Sequence, residues 1–127
     1  MDQPNHTVEL DFSVLQFYDY YVVSRLREDV VFDRPQVKEL VEVCNHYFED
    51  RHFVYISQRV HNYNVNPTIY LKLEEARHLC GIAIVSQKTS ALNMAAFEKN
   101  FAKVPFEVFL DLKEAQKWAK QMLKERR

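Results

Sequence analysis

The run Cys80-Gly81-Ile82-Ala83-Ile84-Val85 is apolar almost without interruption over the length of one strand. A run of that kind is covered on both faces, so it reads as a central strand of a largely parallel sheet. Phe53-Val54-Tyr55-Ile56 repeats the pattern upstream. Between the two lies a polar, irregular stretch, 57–66, followed by Asn66-Pro67, which opens a short helix with Ile69, Leu73, Ala76 and Leu79 roughly on one face. Strand, helix and strand in this order imply a right-handed crossover.

Working toward the N-terminus, Val37, Leu40, Val41, Cys44, Tyr47 and Phe48 recur at helical spacing behind a capping Asp33 and a first-turn Pro35. Val8, Leu10 and Phe12 alternate with acids as a strand does, residues 14–26 read as a second strand, and 30–32 as a short paired stretch. The only glycine is Gly81, so tight turns must use Asn or Asp, with Asp19 a candidate bend. Working toward the C-terminus, Leu92, Ala95, Ala96 and Phe101 suggest a third helix ending before Pro105. Phe106-Glu107-Val108-Phe109 follows as a strand. Asp111 and Glu114 then form a capping box ahead of a helix whose inner stripe is Leu112, Ala115, Ala119, Met122 and Leu123. The expectation is one α/β domain over residues 1–127, with a mixed, mostly parallel sheet of about five strands and four helices.

Composition narrows the function classes. The 127 residues suit a single core, and 47% hydrophobic residues with 13% aromatics supply one. A net charge of −1 provides no global field for a phosphate backbone or an anionic membrane, so neither nucleic acid nor membrane insertion is expected. No apolar run approaches a bilayer-spanning length, and the first residues lack a basic segment followed by an apolar one; the expected location is the cytoplasm. Cys44 and Cys80 sit in unrelated apolar settings and read as free buried thiols. Neither has a nearby cysteine partner, and His6, His46, His52, His61 and His78 fall into no ligand spacing, so no metal or other cofactor is expected. One glycine leaves no glycine-rich phosphate loop, and no nucleophile or acid is tied by spacing to a base, so no enzyme is expected.

The element order, together with the C-terminal "VPFEVFLDLKEAQKWAKQML" and its Phe109, Ala115 and Trp118, resembles bacterial STAS-like proteins related to anti-sigma-factor antagonists, from about Leu15 onward. The resemblance implies a small regulatory or protein-interaction domain. It also implies a phosphorylatable Ser or Thr at a helix start after a central strand, preceded by Asp and followed by small residues. Here the sequence reads Ser57-Gln58-Arg59-Val60-His61-Asn62-Tyr63 and departs from that pattern. Ser57 is the nearest hydroxyl, and Thr68 lies nearer a helix start.

Sites in open α/β sheets gather beyond the carboxyl ends of the strands. Two loops fall there, 57–66 and 86–90, and Ser57, Arg59, His61, Tyr63 and Lys88 are the candidate binding groups for a phosphate, a carboxylate or a phosphorylated protein partner. The same residues also fit a solvated connection that caps helices. The aromatic stretch Phe17-Tyr18-Asp19-Tyr20-Tyr21 carries rings for both faces of a strand, which suits either an aromatic core or a homodimer interface. Three function classes follow: a non-enzymatic regulatory or protein-interaction domain, a small-ligand or lipid-binding domain, and an enzyme with an unrecognised site.

Overall fold

The computed structural model describes residues 3–60 and 64–125. In chain order its elements are β1 (His6–Glu9), β2 (Ser13–Phe17), β3 (Tyr21–Leu26), β4 (Val31–Phe32), α1 (Arg34–Phe48), β5 (Phe53–Gln58) and β6 (Asn64–Val65). They continue with α2 (Ile69–Leu73), β7 (Leu79–Val85), α3 (Thr89–Glu98), a three-ten turn (Lys99–Phe101), β8 (Phe106–Phe109) and α4 (Leu112–Glu125). The main sheet has six strands in the order β1-β2-β3-β5-β7-β8. The pairs β3–β5, β5–β7 and β7–β8 are parallel, and the two N-terminal pairs are antiparallel. The α/β reading with four helices therefore stands, with one strand more than about five.

The extra strand comes from residues 14–26, which form two strands and not one. Tyr18 N–H donates to the Tyr21 carbonyl (2.9 Å), closing a tight bend at Asp19, whose carboxylate accepts from Asn5 Nδ2 (2.7 Å) and whose carbonyl accepts from Arg51 (3.2 Å). With no glycine on offer, Asp29 takes the left-handed conformation (φ 60°) that leads into β4. β4 pairs in parallel with β6, so the short stretch at 30–32 finds its partner in the polar connection after β5.

The strand order advances from β3 to β8 in one direction, so the crossover helices α1, α2 and α3 share one face and α4 covers the other. The larger core packs Leu15, Phe17, Val22, Phe53, Tyr55, Ile82 and Ile84 against Val37, Leu40, Cys44 and Phe48 of α1 and Ile69, Tyr70 and Leu73 of α2. The second core sets Tyr21, Val23, Val54, Ile56, Ala83 and Val85 against Ala115, Ala119 and Leu123 of α4. Gly81 has a packing role here: a Cβ on it would stand 3.1 Å from the Trp118 ring, so its bare backbone lets α4 lie close to β7. The aromatic stretch is divided between the faces. Phe17 packs with Tyr47 and Phe48 under α1, while Tyr21 stacks on Tyr18 at 4.6 Å on the α4 side. Phe17 and Tyr21 are thus buried on opposite faces within one chain, while Tyr20 between them is 41% exposed.

α1 begins as its sequence indicates: the Asp33 carboxylate accepts from Arg34 N–H, Gln36 Oε1 accepts from Asp33 N–H, and Pro35 occupies the first turn. α2 is shorter than the pattern suggested. It stops at Leu73, leaving Ala76 in the loop and Leu79 at the start of β7. In α3, Ala96 is exposed, next to the inward Ala95, and Phe101 falls in the three-ten turn, where it is half-buried and packs against the core.

Both cysteines are free and buried, with the Cys80 thiol donating to the Phe53 carbonyl at 3.2 Å. Burial pushes the Cys44 thiol from 9.0 up to about 12. A folded-state value above the unfolded one contributes stability below about pH 9 that is lost as pH rises toward 12. Neither thiol is expected to react with Ellman's reagent until denaturant is added, and Cys44→Ala is expected to flatten the loss of unfolding free energy between pH 9 and 10. Rapid labelling in buffer, or an unchanged alkaline slope, contradicts this burial. At the last helix, Glu114 N–H donates to the Asp111 carboxylate (2.9 Å), so Asp111→Ala is expected to lower unfolding free energy by about 1 kcal/mol in a urea titration. An unchanged midpoint contradicts the cap.

Candidate functional site

The buried polar residues Ser13, Ser24, Ser57, Arg59, Ser86 and Glu98 gather at one end of the fold. Ser13 and Ser24 share a hydroxyl hydrogen bond across β2 and β3 (2.9 Å), and Ser24 stands in register with Ser57 on β5. Ser86 follows β7 and accepts from Lys88 N–H at 3.1 Å. Arg59 follows β5, its N–H donating to the Val85 carbonyl at 2.8 Å. Ser24, Ser57, Arg59 and Ser86 thus stand at the carboxyl ends of the parallel strands, where the topology directs a site.

Arg59 turns inward. Its Nη1 donates to Glu98 Oε2 (2.9 Å), while Nη2 donates to Glu98 Oε1 and to the Tyr70 hydroxyl (3.1 Å). The Tyr70 hydroxyl in turn donates to Glu98 Oε1. The Arg59 and Glu98 side chains are only 6% and 2% exposed. Taking two ions out of water costs several kcal/mol each, and a fork-on-carboxylate geometry with a third hydrogen-bonding partner offsets that cost. Burial holds the Tyr70 phenol well above its ordinary value; Arg59 pulls it down and Glu98 pushes it up, so the hydroxyl stays a donor through the neutral range. The network ties the end of β5 to α2 and to the last turn of α3.

Beside this network a cleft of about 390 Å³ opens over the end of β7, lined by Arg59, Val60, Ser86, Lys88, Leu110 and Asp111 among others. The loops after β5 and β7 therefore do lie side by side. Lys88 is exposed at the cleft, whereas Arg59 contributes its position but has its charge met by Glu98. Ser57 lies within β5, buried and one step below the loop assigned to it. Thr68 stands elsewhere, in a groove between α1 and α2, its hydroxyl donating to Asn66 Oδ1 at 2.8 Å. His61 and Tyr63 lie outside the described residues. Arg59, a candidate binding group by sequence, has its guanidinium held in a buried structural tie, since a charge taken into the core is stable only when paired.

Sequence reasoning missed Glu98, Tyr70 and Leu110. Glu98 did carry a signal: it is the only charge in α3 and falls three residues after the inward Ala95, on the buried face. His52 and His78 also meet, ring centroids 5.3 Å apart, at the start of β5 and β7. Among the described residues no group of three or more His, Cys, Asp or Glu side chains is placed to hold a metal ion, and no helix is long and apolar enough to cross a membrane. Comparison of the chain with protein-family models, with curated proteins and with solved structures gives no match in any of the three.

Removing one member of a buried pair leaves an uncompensated charge. Arg59→Met alone is expected to cost about 3–5 kcal/mol of unfolding free energy, and adding Glu98→Leu to recover a large part of it. Equal losses in the single and double variants, measured by urea unfolding, contradict a coupled buried pair.

Proposed function

We propose that this chain is a non-enzymatic regulatory or protein-interaction domain of STAS-like type, working in the cytoplasm, that receives an extended segment of a protein partner in the cleft at the carboxyl ends of β5, β7 and β8. One observation carries the reading. Val60 and Leu110, 43% and 65% exposed, stand after β5 and β8 on either side of the end of β7, so apolar lips flank a cleft with polar groups inside. Exposed apolar side chains around a rimmed cleft are the usual mark of a docking surface.

The charges favour a mixed polar and apolar segment over a simple phosphate. Lys88 shares the cleft with the carboxylate of Asp111, which accepts from Glu114 N–H at the start of α4, and the Arg59 charge is met by Glu98. The element order supports the STAS-like reading, with the phosphorylation pattern replaced by Ser57-Gln58-Arg59.

The triple variant Val60→Ser/Lys88→Ala/Leu110→Ser is expected to lose partner capture by more than about tenfold, 1.4 kcal/mol, with its melting temperature nearly unchanged. Affinity pull-downs from the native host, quantified by mass spectrometry against the unaltered chain, measure it. Identical partners with the triple variant, and their loss on Tyr20→Ala instead, contradict the cleft and point to the N-terminal strands.

A further inference from the structure

The first turn of α1 departs from the usual arrangement of charges. A helix start favours acids, yet beyond the capping Asp33 that turn holds none, and it opens on Arg34 with Lys38 one turn later. Asp33 itself is engaged, accepting from Arg34 N–H and from Asn66 Nδ2 (3.2 Å). Across from these cations α2 presents Lys72 and an outward Leu71, 49% exposed. Together Arg34, Pro35, Lys38, Leu71, Lys72 and Glu75 line a groove of about 550 Å³.

Its electrostatics are distinct from those of the whole chain. The protein carries a net charge of −1, but this groove sets three cations against one carboxylate, and Glu75 is already paired with Lys72 at 3.1 Å. Among the described residues no carboxylate pairs with Arg34 or Lys38. Pro35, Leu71 and the aliphatic stems of the lysines supply an apolar floor beneath that charge. Cations placed against a helix dipole cost stability, and a local rule broken without a structural return marks a working surface.

We propose that the groove between α1 and α2 docks an acidic segment of a partner protein, with a leucine-like side chain seated on Pro35 and Leu71 and flanking carboxylates held by Arg34, Lys38 and Lys72. The apolar floor selects such a segment over a nucleic-acid backbone, which offers charge without an apolar anchor. The groove lies on the far side of α2 from Tyr70 and Arg59 and shares no lining residue with the cleft at the strand ends, so the two surfaces stand or fall separately.

The test uses the isotope-labelled full chain titrated with the capped peptide Glu-Leu-Glu-Glu-Leu-Glu, its all-Gln counterpart and a short random-sequence DNA duplex. Amide shifts are expected at Arg34, Lys38, Leu71 and Lys72 with the acidic peptide, weakening as salt is raised. Arg34→Glu/Lys38→Glu is expected to weaken binding more than about tenfold while leaving the melting temperature unchanged or raised, since acids suit that helix start. Leu71→Ser is expected to weaken binding as well, and Lys88→Ala/Leu110→Ser to leave it unaltered. The proposal is overturned by equal binding of the Gln peptide, by undiminished binding to the charge-swapped variant, by displacement of the peptide by the duplex, or by no shifts in the groove at millimolar peptide.

Discussion

The contact on which the architecture at the strand ends depends is the buried fork of Arg59 on Glu98, with Tyr70 bridging to the same carboxylate. α3 has little else with which to hold the sheet: its buried residues are Ala95 and Glu98, and a single alanine removes little apolar area from water. The helix is therefore secured by an ion pair more than by a hydrophobic stripe. Because an unpaired charge in that position is strongly unfavourable, the pair also links the end of β5 to the last turn of α3, with α2 joined through Tyr70.

This arrangement separates structural from available charge. Arg59 looks in sequence like a cation on a polar loop, yet its guanidinium is used inside the fold, leaving Lys88 as the exposed cation at the strand-end cleft. α2 stands between that cleft and the groove beside α1: Tyr70 points to the ion pair, while Leu71 and Lys72 point outward. One short helix thus borders both candidate surfaces, seated by Ile69 and Leu73 in the core and tied to the buried network by Tyr70.

Much of the fold was legible because local and tertiary demands agreed. Asp33 and Pro35 announced α1, Asp111 announced α4, and the apolar runs of β5 and β7 read directly as central strands. Legibility failed where few residues carried the decision. β6 has two residues and shows its pairing with β4 only in space. β2 and β3 merge in sequence because apolar and aromatic residues run on through a bend made without glycine. At the site, Arg59 and Lys88 were visible as charges, but the partnership of Arg59 with Glu98 spans 39 positions, and no local pattern reports a contact of that range.

α3 is thus held at the end of the sheet by the buried ion pair more than by apolar packing, whereas α2 is anchored in the core by Ile69, Tyr70 and Leu73 and joined to the pair through the Tyr70 hydroxyl. Native-state hydrogen exchange, followed amide by amide in the unaltered chain and in Glu98→Gln, measures how far the pair holds α3. A selective loss of protection in α3, extending to α2 around Tyr70, is expected, while α1, α4 and the central strands keep theirs. Protection of α3 unchanged by Glu98→Gln, or lost evenly across the whole chain, would contradict this role of the pair.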